Sequence, residues 1–230
     1  ARGYFFESFS EREFEEKVTP ILGHSVHFSQ ANESMSSYDV MRGFAFQRPP
    51  YAQSKLVRCV KGRVLDVAVD IRKGSPTYGK HVAVELTEDN HLQFFIPKGF
   101  AQSFAVLLET AVFQYKCDNF YHPEADEGIS ILDDTLGIDW KIPTEHANLS
   151  DKDTKHAMLK DFDSPFDIGW IYTNRLLSYD MPMLDDIRSF EEAYSLINMR
   201  NLDATIEWIC YTVNNMDNAI SAIDYNDPMH

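Results

Sequence analysis

Apolar and polar residues alternate in short runs along the first 140 positions of the chain, and a turn signal closes most of the runs. Runs fall at 24–30, 42–47, 55–59, 63–72, 81–86, 92–96, 103–108 and 110–117. Between them stand Lys61-Gly62, Lys73-Gly74-Ser75-Pro76, Glu88-Asp89-Asn90 and Pro97-Lys98-Gly99. Many short strands at this spacing predict an antiparallel sandwich or barrel rather than a parallel sheet with crossover helices. Ahead of them, 3–6 reads as extended and 10–17 as a short helix with Phe14 on its apolar side.

The run at 63–72 carries an unusual face. Leu65, Val67, Val69 and Ile71 form one continuous apolar row, while Val64, Asp66, Ala68 and Asp70 form the other. Acids opposite such a row predict a strand with one face packed and the other wet or lining a pocket.

The pattern changes beyond Leu149. Residues 149–153 read as a turn or helix start, and 161–165 as a break. Ser189 and Glu192 have capping-box spacing before Phe190, Tyr194 and Ile197, which share a helical face. Ile206, Ile209, Val213 and Met216 repeat the three-and-four spacing, so a second helix is expected over 203–216. The expected division is a β domain over 1–160, an irregular linker over 161–188 and an acidic helical extension over 189–230.

Composition narrows the function classes. With 44% hydrophobic residues among 230, the chain has the means to build a substantial core, which excludes disorder as its main state. A net charge of −15 opposes general binding to nucleic acid or anionic membrane, though a local basic pocket can still hold a phosphate. No apolar run has the length of a membrane helix, and no basic, apolar leader opens the sequence. The three cysteines, Cys59, Cys117 and Cys210, form no CxxC, and a reducing cytosol is expected. No P-loop, GxGxxG, HExxH or GxSxG motif occurs. Eight histidines lack the HxH pair with downstream His and acid that a cupin metal centre needs, so neither a metal nor another cofactor is expected.

Four polar residues in the β region are candidates for chemistry. Arg42 and Lys55 each begin a strand, where a cation can reach into a barrel mouth to hold a phosphate or stabilise an enolate. Tyr115 shares a face with Phe113 and Cys117, and Asp153 follows Lys152 in a loop. Plainer roles exist for each: surface cations, a core tyrosine, a loop cap.

Ordered motifs say more than periodicity does. Arg2-Gly3-Tyr4-Phe5-Phe6-Glu7, Gln30-Ala31-Asn32, Met41-Arg42-Gly43, Gln47 with Pro49-Pro50, and Gln53-x-Lys55-Leu56-Val57 come first. Gly62-x-Val64-x-Asp66-Val67-Ala68-Val69-Asp70-x-Arg72, Gly74-Ser75-Pro76-Thr77-x-Gly79 and Ile96-Pro97-x-Gly99-Phe100-Ala101 follow. Tyr115-Lys116-Cys117, Tyr121-x-Pro123-Glu124, Leu136-Gly137-Ile138-x-Trp140 and Leu149-Ser150-x-Lys152-Asp153 complete the series. Over about residues 1–160 the chain resembles the dTDP-4-dehydrorhamnose 3,5-epimerase family.

That resemblance implies a mainly β, cupin-like jelly-roll barrel (a double-stranded β-helix) without metal, assembled as a homodimer that exchanges N-terminal strands. It implies a deoxythymidine-diphosphate 4-keto-6-deoxyhexose as substrate and a product that feeds rhamnose and related surface sugars. Arg2 and Glu7 would stand near the partner's nucleotide, Gln30 and Asn32 at the base and diphosphate, and Arg42 at the phosphates. Gln47 and Gln102 are further expected contacts of the sugar nucleotide. Lys55 matches the lysine beside the keto oxygen, Tyr115 the general acid, and Asp153 the acid that orients a catalytic histidine. The chemistry asks for such a set: a base for the acidic proton next to the ketone, a cation for the enolate oxygen, and an acid on the opposite face.

Two positions depart from the family pattern. Where the family has the basic histidine this chain has Ala45, and where it has a second histidine this chain has Gln102. For Tyr115 to replace the base, its pKa would have to be lowered, with Lys55 as the expected cause. Three functions remain open on these residues: an epimerase of reduced activity, a related keto-sugar nucleotide enzyme of different specificity, and a sugar-nucleotide binding protein without turnover.

Overall fold

A computed structural model describes residues 2–22 and 24–167, together with the backbone of 211–214 and 218–221. Ser10 opens a short helix, α1 (Glu11–Lys17), by accepting a hydrogen bond from the Glu13 N–H, and a single turn, α2 (Thr19–Leu22), follows. Nine strands then build the body: β1 (Gln30–Ser37), β2 (Met41–Gln47), β3 (Lys55–Lys61), β4 (Arg63–Asp70), β5 (His81–Thr87), β6 (Gln93–Ile96), β7 (Phe100–Val106), β8 (Thr110–Cys117) and β9 (Asp126–Gly128). One antiparallel sheet has the order β1-β8-β3-β6 and the other β5-β4-β7-β2-β9.

The space between the sheets is filled by Val57, Cys59, Phe94 and Phe113 from one side and Val64, Ala68, Phe104 and Val106 from the other. Both outer faces are covered as well. Phe14, Val18 and Val26 cover Leu56 and Phe95. Ile129, Ile131, Leu136, Trp140 and Phe166 cover Phe44, Leu65, Val67, Val69 and Ile71. This sandwiching explains why β4 is buried on both of its faces. The acidic face of β4 therefore points into the barrel, with Asp66 and Asp70 both fully buried. Of the two alternatives for that face, wet or lining a pocket, water is the one excluded.

Two expectations need correction, and one strand was not expected. Residues 24–29 are not a strand; Val26 and Phe28 pack beneath α1 in irregular backbone, and the strand begins at Gln30. β1 itself has no apolar alternation, because its inward row is Gln30, Asn32, Ser34 and Ser36. Its ladder to β8, with Asn32 opposite Tyr115, is what makes it a strand. At the C-terminus, β10 (Tyr211–Asn214) and β11 (Asn218–Ser221) form a hairpin that joins β6 through Thr212 and Phe94, where the end of a helix was expected. Tyr211, Thr212 and Val213 favour extended backbone, and the Asn-rich stretch after them favours a turn. The helix expected from Ser189, and the rest of 168–210, lie outside the described residues. Packing continues past 160: Phe162 and Phe166 both stand edge-on to Phe46.

Candidate active site

A cavity of about 150 Å³ opens between the sheets, and Arg42, Ala45, Lys55, Gln102, Phe113 and Tyr115 are among the residues that line it. β3 delivers Lys55 from its first residue, directly across from Cys117 on β8 and Ile96 on β6. Val57 follows opposite Tyr115, so the lysine and the tyrosine lie diagonally on one face. The Lys55 Nζ stands 6.0 Å from the centre of the Tyr115 ring and donates to Gln102 Oε1 at 3.2 Å. Gln102 in turn donates from Nε2 to Asp66 Oδ2 at 2.8 Å. Asp66 Oδ1 is buried with no hydrogen-bond partner among the described residues.

Burial governs the protonation of this group. Loss of water pushes Asp66 up to about 8, against the opposing pull of Gln102 and Lys55. Burial also lowers Lys55 from the ordinary lysine value, opposed by Cys117, Asp66 and Asp126. Tyr115 is raised, chiefly by burial and then by Cys117, with Arg42 pulling the other way. This overturns the expectation of a tyrosine made basic by Lys55. Tyr115 keeps its proton and is suited to give one.

Arg42 projects from β2 and donates from Nε to Ser36 Oγ at 3.2 Å; it has no ion-pair partner among the described residues. Gln30 donates to Asn32 Oδ1 at 3.0 Å and accepts from the Tyr121 N–H; Asn32 lies opposite Tyr115 on the ladder, and neither amide lines the cavity. The Tyr121 hydroxyl donates to Asp126 Oδ2 at 2.9 Å, and Lys152 pairs with the same oxygen.

Ala45 sits at the centre of the cavity wall, opposite Gln102 on β7 and Gly128 on β9. Beside it the backbone of Gly43 has φ +105°, and a β-carbon there would lie 2.3 Å from the Gln102 carbonyl oxygen. The wall therefore requires glycine at 43. The Gly43 N–H donates to Asp153 Oδ1 at 3.3 Å, while Ser150 Oγ donates to Asp153 Oδ2 at 2.7 Å. Asp153 thus braces the strand that carries Ala45.

Not every expected residue converges here. Gln47 is buried and spends its amide on the carbonyls of Tyr51 and Phe120 and on the His122 N–H; it clamps two loops and does not line the cavity. Arg2 and Glu7 are exposed, on a segment whose Tyr4 and Phe6 rings lie against His91. Conversely, Asp66, Asp126, Tyr121 and Lys152 belong to the site or its rim without having been chosen from sequence. The signal for Asp66 was present: an acid on the inward row of a buried strand. Among the described residues no three His, Cys, Asp or Glu side chains group as metal ligands.

Known proteins resemble this chain in sequence and in fold. The sequence pattern of dTDP-4-dehydrorhamnose 3,5-epimerase matches residues 1–161. An Escherichia coli (strain K12) protein of that name is 53% identical over 154 residues, covering 67% of this chain and 80% of the relative. The crystal structure of the Elizabethkingia anophelis enzyme superimposes with a TM-score of 0.66 at 49% identity, covering 71% of this chain and 88% of that one. A Legionella pneumophila dTDP-6-deoxy-D-glucose-3,5-epimerase, solved in complex with dTDP-4-keto-L-rhamnose, gives a TM-score of 0.65 at 46% identity, covering 70% and 83%. The match over most of the chain, in sequence and in fold, settles its family: the chain belongs to the dTDP-4-dehydrorhamnose 3,5-epimerase family.

Proposed function

We propose that this protein is an isomerase of dTDP-linked 4-keto-6-deoxyhexoses, working by proton transfer at carbon next to the keto group. The observation that carries this reading is the convergence of Lys55, Tyr115 and Arg42, which has no ion-pair partner among the described residues, on one cavity. Arg42 holds the diphosphate with charge-assisted bonds, and Gln30 and Asn32 meet the nucleotide at the mouth. Lys55 faces the keto oxygen and stabilises the enolate formed when the neighbouring carbon loses its proton. Tyr115, protonated at neutral pH, returns a proton to the opposite face of that carbon. Ala45 provides no base, so turnover is slow compared with relatives that carry one.

Assembly completes the site in this reading. Two copies exchange N-terminal segments, which brings Arg2 and Glu7 of one chain to the nucleotide of the other. Cys59 and Cys117 are free, buried thiols, which suits a reducing cytosol.

Calorimetry with dTDP tests the binding half: Arg42→Ala weakens affinity roughly 10–100-fold, as expected for a charged hydrogen bond to phosphate. NMR of a dTDP-4-keto-6-deoxyhexose incubated with the protein tests the chemistry. Lys55→Met abolishes formation of the epimer, and so does Tyr115→Phe. Ala45 also favours a second reading, a binding protein without turnover; tight dTDP binding with no epimer from wild type would establish it.

A further inference from the structure

The cavity wall contains no imidazole and no carboxylate among its lining residues, yet one imidazole stands directly behind it. His156 lies three residues beyond Asp153, on the segment that braces β2. Its ring rests on Gly128, so closely that a β-carbon there would lie 2.8 Å from His156 Nε2. Gly128 is the ladder partner of Ala45. The same β-carbon would lie 2.1 Å from the Phe44 carbonyl oxygen, so the ring sits against the ladder itself, one strand away from Ala45. The other histidines with described side chains are engaged or distant: His24 with the Leu22 carbonyl, His27 with Glu11, His81 with the Leu136 backbone, His91 with Tyr4 and Phe6, and His122 with Glu124. His156 is half-buried, and its ring nitrogens have no hydrogen-bond partner among the described residues. A half-buried imidazole kept without a partner, beside a cavity that lacks a base, is what a proton acceptor waiting for its substrate looks like.

We propose that His156 is the general base of this protein, turning from Gly128 into the space left open above Ala45. This rests on the isomerase reading given above and deepens it. His156 Nε2 takes the proton from the carbon next to the ketone. The C–H electron pair becomes the enolate C=C bond as the carbonyl pair moves onto oxygen, which Lys55 faces. The enolate collapses back to the ketone as its carbon takes the Tyr115 hydroxyl proton on the opposite face. Water then takes the proton from His156 and restores the one on Tyr115, so no oxidant or reductant is consumed. Alanine at 45 is part of the device, since a larger side chain would fill the space the ring must enter. Because the base arrives from one side on one short segment, it serves a single carbon of the sugar.

The test follows deuterium from heavy water into a dTDP-4-keto-6-deoxyhexose by NMR, with dTDP calorimetry run alongside on every variant. Wild type incorporates deuterium at one of carbons 3 and 5. His156→Gln, which keeps a polar side chain of similar reach, slows this about 100-fold or more while dTDP affinity stays within twofold. In His156→Ala, added imidazoles restore exchange in order of their basicity, which a merely structural loss would not allow. In the Ala45→His background, His156→Gln has no effect, because the cavity then holds a base of its own. Exchange unchanged by His156→Gln overturns His156 as base, whereas wild type that binds dTDP and exchanges nothing overturns the isomerase reading. Failure of wild type to bind dTDP at millimolar concentration overturns the isomerase reading itself, and the proposal with it.

Discussion

Two carboxylates on the same face of β4, Asp66 and Asp70, are both fully buried, yet their surroundings drive them in opposite directions. Burial acts to raise Asp70, but Arg72, Ser75 and Thr77 outweigh it and hold the group below the ordinary aspartate value. Its oxygens accept from the Arg72 N–H at 2.9 Å, from the guanidinium at 2.8 and 2.7 Å, and from both hydroxyls at 2.6 Å. Asp66 has the single bond from Gln102 and an oxygen with none, and burial raises it to about 8. The difference separates architecture from chemistry. Asp70 has no capacity left and fastens the 71–79 loop to the sheet. Asp66, raised to about 8, stays protonated at pH 7 and holds Gln102, which in turn accepts from Lys55 at the cavity.

The largest expected effect follows from Asp70. Asp70→Asn leaves the Arg72 guanidinium without its counter-charge and costs on the order of 3–5 kcal/mol in urea unfolding. A cost below about 1 kcal/mol would mean that the two acids are not different in kind. Next comes Asp66→Asn, with the opposite sign. The folded carboxyl keeps its proton up to about pH 8, whereas the unfolded one gives it up near pH 4. Stability from this group is therefore complete below about pH 4, falls as pH rises toward 8, and is level beyond. Asp66→Asn removes that slope, leaving stability unchanged at pH 4 and raising it by several kcal/mol at pH 9. Urea midpoints at the two pH values check it. The smallest effect belongs to Thr77→Val, about 1 kcal/mol, because the remaining bonds still satisfy Asp70.

Much of this was legible in the residues. Strands β2 through β8 follow the alternation because their inward rows are apolar for most of their length, and Ser10 with Phe14 announces α1. β1 escaped notice for a functional reason: a strand whose inner row faces a polar mouth loses the alternation that would reveal it. Arg42, Lys55 and Tyr115 stood out by strand position and Gln102 through resemblance, and all four line one cavity, whereas Gln47 was placed with them and holds loops. The contrast along β4 was invisible, since Asp66 and Asp70 sit in one repeating motif. Asp70 finds Arg72, Ser75 and Thr77 within seven residues, but the partner of Asp66 is Gln102 on β7, brought near only by the ladder between the strands. His156 carried no pattern at all; its meaning comes from Gly128 lying opposite Ala45.

The decisive measurement is carbon-by-carbon deuterium incorporation into a dTDP-4-keto-6-deoxyhexose, comparing wild type with Lys55→Met at equal ligand saturation. The account predicts exchange at one carbon in wild type, slower than in Ala45→His, and none above the buffer rate in Lys55→Met. Exchange that survives intact in Lys55→Met would contradict it, because the enolate would then be stabilised somewhere other than this cavity.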